Sequence, residues 1–159
     1  MRRGRAIGVF MNITCGLLFC LVMSIIVLFR NEQMTGLPAG TLLNVKMVAF
    51  SVIQAFFVSY TIGDLVPSYS WGTAFCAKNN MGKVPSYFIT IAIHAFIIGT
   101  ICSLICTFIA VDAGTFSFTT LIAWWTNYPI LLLAAYVLMV IVMGPLQKAA
   151  FALTKNITD

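Results

Sequence analysis

Charged residues are scarce in this chain of 159 residues: they make up 8% of it, with four acidic side chains and one histidine. Soluble domains carry roughly 25% charged and about 45 to 50% apolar residues, whereas this sequence is 61% hydrophobic. The shortage of charge excludes a soluble domain and indicates a membrane protein.

The residue combinations that catalysis requires are also missing. There is no nucleophile beside a base, no pair of carboxylates and no phosphate loop, so the chain is not expected to be an enzyme. The five cysteines show none of the spaced Cys and His pairs that bind metals, so no metal or other cofactor is expected. The net charge of +5 needs no nucleic acid, because a basic rim facing the anionic lipids of a bilayer accounts for it.

Four apolar runs dominate what remains, and each exceeds the roughly 20 residues that cross about 30 Å of hydrocarbon. They predict an all-α membrane protein with four transmembrane helices, and a short helix is expected in the middle loop. The runs are Ala6 to Phe29, Thr41 to Val66, Tyr87 to Val111 and Thr120 to Met143. Pro67, which has no N–H, is expected to end the second helix.

The basic residues are distributed unevenly between the two sides of these helices. One side, with the termini and the middle loop, holds Arg2, Arg3, Arg5, Lys78, Lys83, Lys148 and Lys155, against Arg30 and Lys46 on the other. Because positive charge collects on the cytoplasmic side, both termini are predicted to be cytoplasmic. The predicted location is the cell membrane, specifically a bacterial cytoplasmic membrane.

Small residues recur at every fourth position in three of the runs. Such a stripe lets two helix backbones approach closely, and helices in lipid associate by packing and hydrogen bonds. The predicted packing residues are Gly16, Cys20 and Ser24 in the first run, Ser51, Ala55, Ser59 and Gly63 in the second, and Gly99 and Ser103 in the third. Asn12 lies in the first stripe and is expected to hydrogen-bond across this contact.

The two halves of the chain resemble each other. Gly16, Cys20 and Ser24 match Ala95, Gly99 and Ser103 at a constant offset, and a proline closes the second apolar run of each half. We therefore predict two helical-hairpin repeats, residues 1–80 and 81–159. Both halves start on the same side, so the repeat is parallel, with its pseudo-axis along the membrane normal.

The second half also resembles a known domain. The stretch CSLICTFIAVDAG, followed by FTTLIAWWTNYPI and then by a Gly-Pro pair, is similar to a short bacterial membrane domain of two helices whose function is unknown. The first half resembles it more weakly, with Lys46 and Ser51 where Trp124 and Pro129 would align. The resemblance implies a tandem helical-hairpin protein and brings no activity with it.

Four polar residues inside the apolar runs form a candidate transport path: Asp64, Gln54, His94 and Asn127. An ionisable group costs roughly 2.5 to 3.5 kcal/mol at the centre of a membrane helix, so it indicates function by default. Structural alternatives stay open: Gln54 can bridge helices through its amide, His94 can be a neutral hydrogen-bonded histidine, and Asp64 lies near a helix end. Lys46 can reach the headgroups as an anchor.

Two classes of function fit these features. The first, slightly preferred, is a small-solute or ion transporter or exporter, since tandem repeats with ionisable groups in the membrane suit alternating access. It predicts that Asp64, Gln54 and His94 face one cavity. The second is a scaffold or accessory subunit whose small-residue stripes pack against a second copy or a larger membrane partner.

Overall fold

The computed structural model describes residues 3–112 and 117–155, and within these ranges the chain is helical apart from short connections. The helices are α1 (Arg3–Thr35), α2 (Val45–Leu65), α3 (Ser68–Lys78), α4 (Lys83–Asp112) and α5 (Phe118–Leu153). All but α3 are long and apolar enough to span a membrane. This confirms the all-α class and is consistent with a multi-pass membrane protein. Arg2, one of the basic residues used to orient the chain, lies outside the described residues.

The four long helices form an antiparallel bundle, as in up-down-up-down proteins. α1 packs against α2 and α5, and α4 packs against the same two helices. The connection between α1 and α2, residues 36–44, lies at one end of the bundle, which we call the hairpin end. Because α3 lies at the opposite end, that end is called the α3 end.

Local sequence determines where α2 begins and ends. The Asn44 side chain accepts a hydrogen bond from the Met47 N–H at 3.0 Å, which satisfies one of the free amides at the helix start. The helix stops after Leu65, where Val66 is extended and Pro67 follows. The predicted end of α2 at Pro67 is therefore confirmed. The physical reason is that a proline disfavours the helical conformation of the residue before it.

The short helix expected in the middle loop is α3, and it lies alongside the first third of α4. Its Ser68 contacts His94, while Cys76, eight residues later, contacts Ser86. The matching intervals show that α3 runs antiparallel to α4. Ser68, Gly72 and Cys76 are all buried in this contact, so a fourfold stripe of small residues joins the two helices.

Helix α5 does not end at its second proline. The similarity between Pro67 and Pro145 suggested a closing proline in both halves, yet α5 continues through Pro145 to Leu153. A proline removes one backbone hydrogen bond and opens the preceding turn. Here the Tyr87 hydroxyl donates to the Val140 carbonyl at 2.9 Å in that turn, so packing against α4 helps to hold the helix together.

The main packed core lies towards the α3 end. Ile91 and Ala135 are fully buried at its centre, where α4 meets α5. The cluster is formed by Phe19, Cys20, Ile91, Ala95, Ala135, Met139 and Met143. By contrast, large apolar side chains such as Phe50, Phe57 and Ile141 are more than three-fifths exposed, as expected for a surface that faces lipid.

Candidate solute-binding cavity

A cavity of about 440 Å³ lies between the four long helices in the half of the bundle towards the hairpin end. It reaches from Phe19 and Cys20, which also belong to the packed core, to Asn31 and Met47 near the hairpin end. Its volume falls within the range of roughly 300 to 1,000 Å³ that is usual for small-molecule sites. The packed core therefore closes the cavity towards the α3 end.

Each of the four long helices contributes neutral polar side chains to the cavity lining, which is otherwise apolar. They are Asn31 and Ser24 of α1, Ser51, Gln54 and Ser59 of α2, Ser103 and Thr107 of α4, and Asn127 of α5, with the thiols of Cys20, Cys102 and Cys106. None of these side chains is an acid or a permanently charged base. The lining thus suits a small neutral or amphiphilic molecule, with a few polar groups to orient it.

The small-residue stripes of α1 and α2 meet at the cavity wall. Ser51 donates a hydrogen bond to the Ser24 hydroxyl at 2.9 Å, and the Cys20 thiol lies 3.3 Å from the Ser59 hydroxyl. These pairs satisfy buried polar groups across the two helices. Ala55 lines the same wall between the two α2 serines. Stripe residues that were predicted only to pack therefore also form a solute-sized surface.

The glycines of the stripes differ in their surroundings. A Cβ atom on Gly63 would lie 2.6 Å from Asn12 Oδ1, and one on Gly16 would lie 3.5 Å from the Phe56 ring. Asn12 donates to the Tyr60 carbonyl at 3.4 Å, which confirms the expected hydrogen bond between helices. A Cβ on Gly99 would instead find no atom closer than 3.9 Å. Gly63 thus lies in a close contact, while Gly99 leaves room in the cavity.

Hydrogen bonds also connect the cavity wall across the other helix pairs. The Gln54 amide makes a long contact of 3.5 Å with the Cys106 carbonyl, which joins α2 to α4 as the structural alternative for this residue predicted. The Trp124 indole N–H donates to the Ser103 hydroxyl at 2.9 Å, which joins α4 to α5. The lining is thereby held in place by side chains from neighbouring helices.

A polar network surrounds the cavity at the hairpin end. Arg30 Nε donates to Asn127 Oδ1 at 3.1 Å, although the two residues are 97 positions apart in the chain. Asn127 Nδ2 in turn approaches Asn31 Oδ1 at 3.5 Å and the Ala123 carbonyl at 3.4 Å. Because Asn31 and Asn127 line the cavity, the half-buried guanidinium is anchored at its rim.

Glu32 holds the connection between α1 and α2. Its side chain, 5% exposed, accepts hydrogen bonds from the N–H groups of Leu42 and Leu43 at 2.6 and 2.7 Å and from that of Gly40 at 3.3 Å. Hydrogen bonds to a charged carboxylate are about twice as strong as neutral ones. The carboxylate therefore fixes residues 40–43 next to the rim.

The structure separates the four residues of the predicted transport path. Gln54 and Asn127 line the cavity, whereas Asp64 and His94 do not. Asp64 is exposed near the end of α2. His94 lies towards α3, where its Nδ1 atom is 2.7 Å from the buried Ser68 hydroxyl and its ring packs edge-on against Tyr69. The expectation of one common cavity for these residues was wrong, because α3 occupies the side of α4 that carries His94.

Three features of this site were not identified from the sequence. Arg30 and Glu32 follow the first apolar run, which ends at Phe29, yet both are in α1 and both organise the rim. No local signal places Arg30 beside Asn127. The stripe of α3, by contrast, has the same fourfold spacing as the stripes that were recognised, with Gly72 in its middle. That pattern predicts a close contact with another helix, although it does not identify α4 as the partner.

The described residues offer no group of three or more His, Cys, Asp or Glu side chains that could hold a metal ion. Comparison of the chain with protein-family models, with curated proteins and with solved structures finds no match. The resemblance to the bacterial two-helix domain therefore stays a prediction, and function has to be argued from the cavity itself.

Proposed function

We propose that this chain is a membrane transporter for a small solute, and that the cavity in the hairpin half of the bundle is its binding site. The observation that carries this proposal is the cavity of about 440 Å³ with neutral polar groups from all four long helices. A membrane bundle that served only as a structural support would gain from filling such a space, because each void forfeits packing contacts.

The closed side of the cavity is consistent with alternating access. Phe19 and Cys20 are shared between the cavity floor and the packed core, so a solute that reaches them can proceed only after the core opens. In the proposed mechanism the hairpin repeats of residues 1–80 and 81–159 rock against each other around the site, as in transporters with parallel repeats. Each half has two long helices, the second of which meets or contains a proline, and the first half has α3 in addition.

The proposed orientation places both termini in the cytoplasm and the hairpin end outside. Lys78 and Lys83 flank the turn between α3 and α4, at the same end as Lys148 and Lys155 near the end of the described chain. An excess of basic residues at one end favours its cytoplasmic location. The cavity then faces the outside of a bacterial cytoplasmic membrane, as expected for one state of an exporter.

The alternative of a scaffold is favoured by Asp64, which is exposed, and by His94, which is bonded to Ser68, but the small-residue stripes count against it. It requires small-residue stripes that are free to pack against a second copy or a larger partner, but Cys20, Ser24 and Ser59 are buried inside the bundle. Gly72 is likewise unavailable to a partner, because Thr90 of α4 packs against it. A partner would have to bind the large apolar side chains of the outer surface.

A cavity-filling substitution tests the proposal. Gly99→Leu places a side chain in the open space, while Gly8→Leu adds the same side chain at an exposed glycine with no atom within 4 Å. Both variants are produced in a bacterial host and checked for monodisperse, thermally stable protein. Growth against a panel of toxic amphiphilic solutes and the solute content of the cells are then compared with wild type.

We expect wild type and Gly8→Leu to lower the accumulation of the same solutes, and Gly99→Leu to lose this effect. If Gly99→Leu is as active as wild type for every solute, the cavity is not the path. If wild type does not differ from cells without the protein for any solute, the scaffold is favoured instead.

A further inference from the structure

The rim of the cavity carries the Arg30 guanidinium, which is anchored by Asn127 and makes no ion pair with any described side chain. Resting on the function proposed above, we propose that the solute is an amphiphile with an anionic headgroup, a carboxylate or a phosphate, which Arg30 binds while the apolar part lies in the cavity. The headgroup is either that of a free amphiphile or that of a membrane lipid.

The hydrogen bonds of Arg30 leave most of its donors available. A guanidinium has five N–H donors, and in Arg30 only the Nε donor is used, by Asn127. Among the described residues the two terminal nitrogens make no hydrogen bond and no ion pair. Such a pair of nitrogens matches the two oxygens of a carboxylate or phosphate.

No side chain that the structure describes cancels the charge of the guanidinium. Glu32 is the described carboxylate closest to it in sequence, but its oxygens accept from the loop amides of Gly40, Leu42 and Leu43. Lys46, at the start of α2, is an exposed cation at this end, and Asp112 ends α4 at the same end. The end as a whole is therefore balanced in charge, and the positive charge that an anionic headgroup would complement is that of the Arg30 terminal nitrogens.

The hydrogen bond to Asn127 also fixes the position of the charge. Asn127 lines the cavity and is itself held by Asn31 and by the Ala123 carbonyl. A guanidinium held at Nε keeps its terminal nitrogens in one orientation, so less rotational freedom is lost when an anion binds. A flexible surface arginine would lack this advantage.

The walls below the rim explain why the ligand is an amphiphile and not a simple anion. Next to the rim the lining includes Met47 and Phe50 of α2 and Ile109 of α4, and further down it includes Leu131 and Leu132 of α5. An inorganic anion would bind at the rim and leave this apolar surface unused. A headgroup at Arg30 with an alkyl or aromatic portion below it uses both.

Fluorescence of Trp124 reports on occupation of the cavity, since its indole donates to the cavity-lining Ser103. The exposed Trp71 and Trp125 are replaced by Phe, and the protein is placed in nanodiscs of phosphatidylcholine. Quenching is then titrated with ω-brominated decanoate and with ω-brominated decanol, which differ in headgroup charge. The same titrations are made with Arg30→Gln, Arg30→Lys and Lys46→Gln, each in this background.

Decanoate is expected to bind at least about tenfold more tightly than decanol, as for one charge-assisted hydrogen-bonded pair. Arg30→Gln should abolish this preference, Arg30→Lys should retain part of it, and Lys46→Gln, which removes an exposed cation at the same end, should keep it. Equal affinity for acid and alcohol in wild type, or a preference that survives in Arg30→Gln, would overturn the proposal.

The source of the headgroup follows from a second arm with phosphatidylglycerol added to the nanodiscs. Competition with decanoate in wild type, absent in Arg30→Gln, identifies a lipid headgroup; lack of competition identifies a free amphiphile. Failure of the underlying function is distinguishable, because Gly99→Leu should block quenching by both probes. If it blocks neither, the cavity itself is not a binding site.

Discussion

Gly72 of α3 meets Thr90 of α4 so closely that a Cβ atom on the glycine would lie 2.9 Å from the Thr90 Cα atom. The obstacle is backbone, which cannot rotate away as a side chain can. This contact attaches α3 to the bundle and, through Ser68 on the same face, positions His94.

Gly72→Ala is therefore expected to lower the free energy of unfolding by about 1 to 3 kcal/mol, the usual cost of overpacking. Unfolding in mixed micelles, followed by circular dichroism, measures this. The matched control is Gly8→Ala, where the new methyl group meets no atom within 4 Å and no loss is expected. Equal stability of the Gly72 variant and wild type would show that α3 can move away from α4.

Gly63→Ala should be milder, because the obstructing atom is the end of the Asn12 side chain. The added methyl displaces the Asn12 amide from the Tyr60 carbonyl, which costs about 1 kcal/mol for the lost hydrogen bond. In the double variant with Asn12→Ala the methyl group has room, so the two effects should be less than additive. Strict additivity in the same unfolding measurement would contradict the contact.

Glu32→Ala removes the acceptor of three amides in the connection between α1 and α2. We expect hydrogen exchange at Gly40, Leu42 and Leu43 to accelerate and the free energy of unfolding to fall, since these partly exposed donors lose a charged acceptor. Exchange measured by mass spectrometry tests this. Glu32→Gln keeps one acceptor oxygen and should give an intermediate rate; unchanged exchange in both variants would exclude the role of Glu32.

The rate of thiol modification should distinguish a cysteine that lines the cavity from one that is buried between α3 and α4. Cys106 lines the cavity and is partly exposed, whereas Cys76 is 1% exposed between α3 and α4. In the folded protein, N-ethylmaleimide should label Cys106 well before Cys76, because local opening must precede reaction at a buried thiol. Peptide mass spectrometry gives the order. Both thiols should react in denaturing detergent; simultaneous labelling in the folded state would be inconsistent with the cavity.

Asp64→Asn tests whether the predicted polar path extends beyond the cavity. Asp64 is exposed and does not line the cavity, so the affinity for ω-brominated decanoate should not change. Quenching of Trp124 measures it, with Arg30→Gln as the variant that responds. A weaker affinity in Asp64→Asn would mean that the carboxylate is coupled to the site from the far end of α2.

Much of the fold was predictable, because it follows from local chemistry. The apolar runs predicted the four long helices, and Pro67 predicted the end of α2. Pro145, which was expected to end α5 in the same way, does not: the helix continues to Leu153. The Tyr87 side chain of α4 donates a hydrogen bond to the turn before this proline, and no local pattern predicts that contact. Residues that the predicted repeat aligns can thus differ when their neighbours differ.

The candidate site was predictable only in part. Gln54 and Asn127 were singled out as polar residues in apolar runs, and both line the cavity. Asp64 and His94 had the same signal but are elsewhere, because polarity in a run does not tell which side of the helix faces the bundle interior. That depends on the rotation of each helix in the bundle.

The sequence by itself determined that this is an all-helical chain with four segments able to span a membrane, since hydrophobicity, length and capping are local properties. Only the tertiary structure decided that the small-residue stripes both pack together and line a cavity. It also decided that Arg30 lies beside Asn127 at the rim of this cavity. These relations join residues far apart in the chain, and their distances depend on how all four helices pack at once.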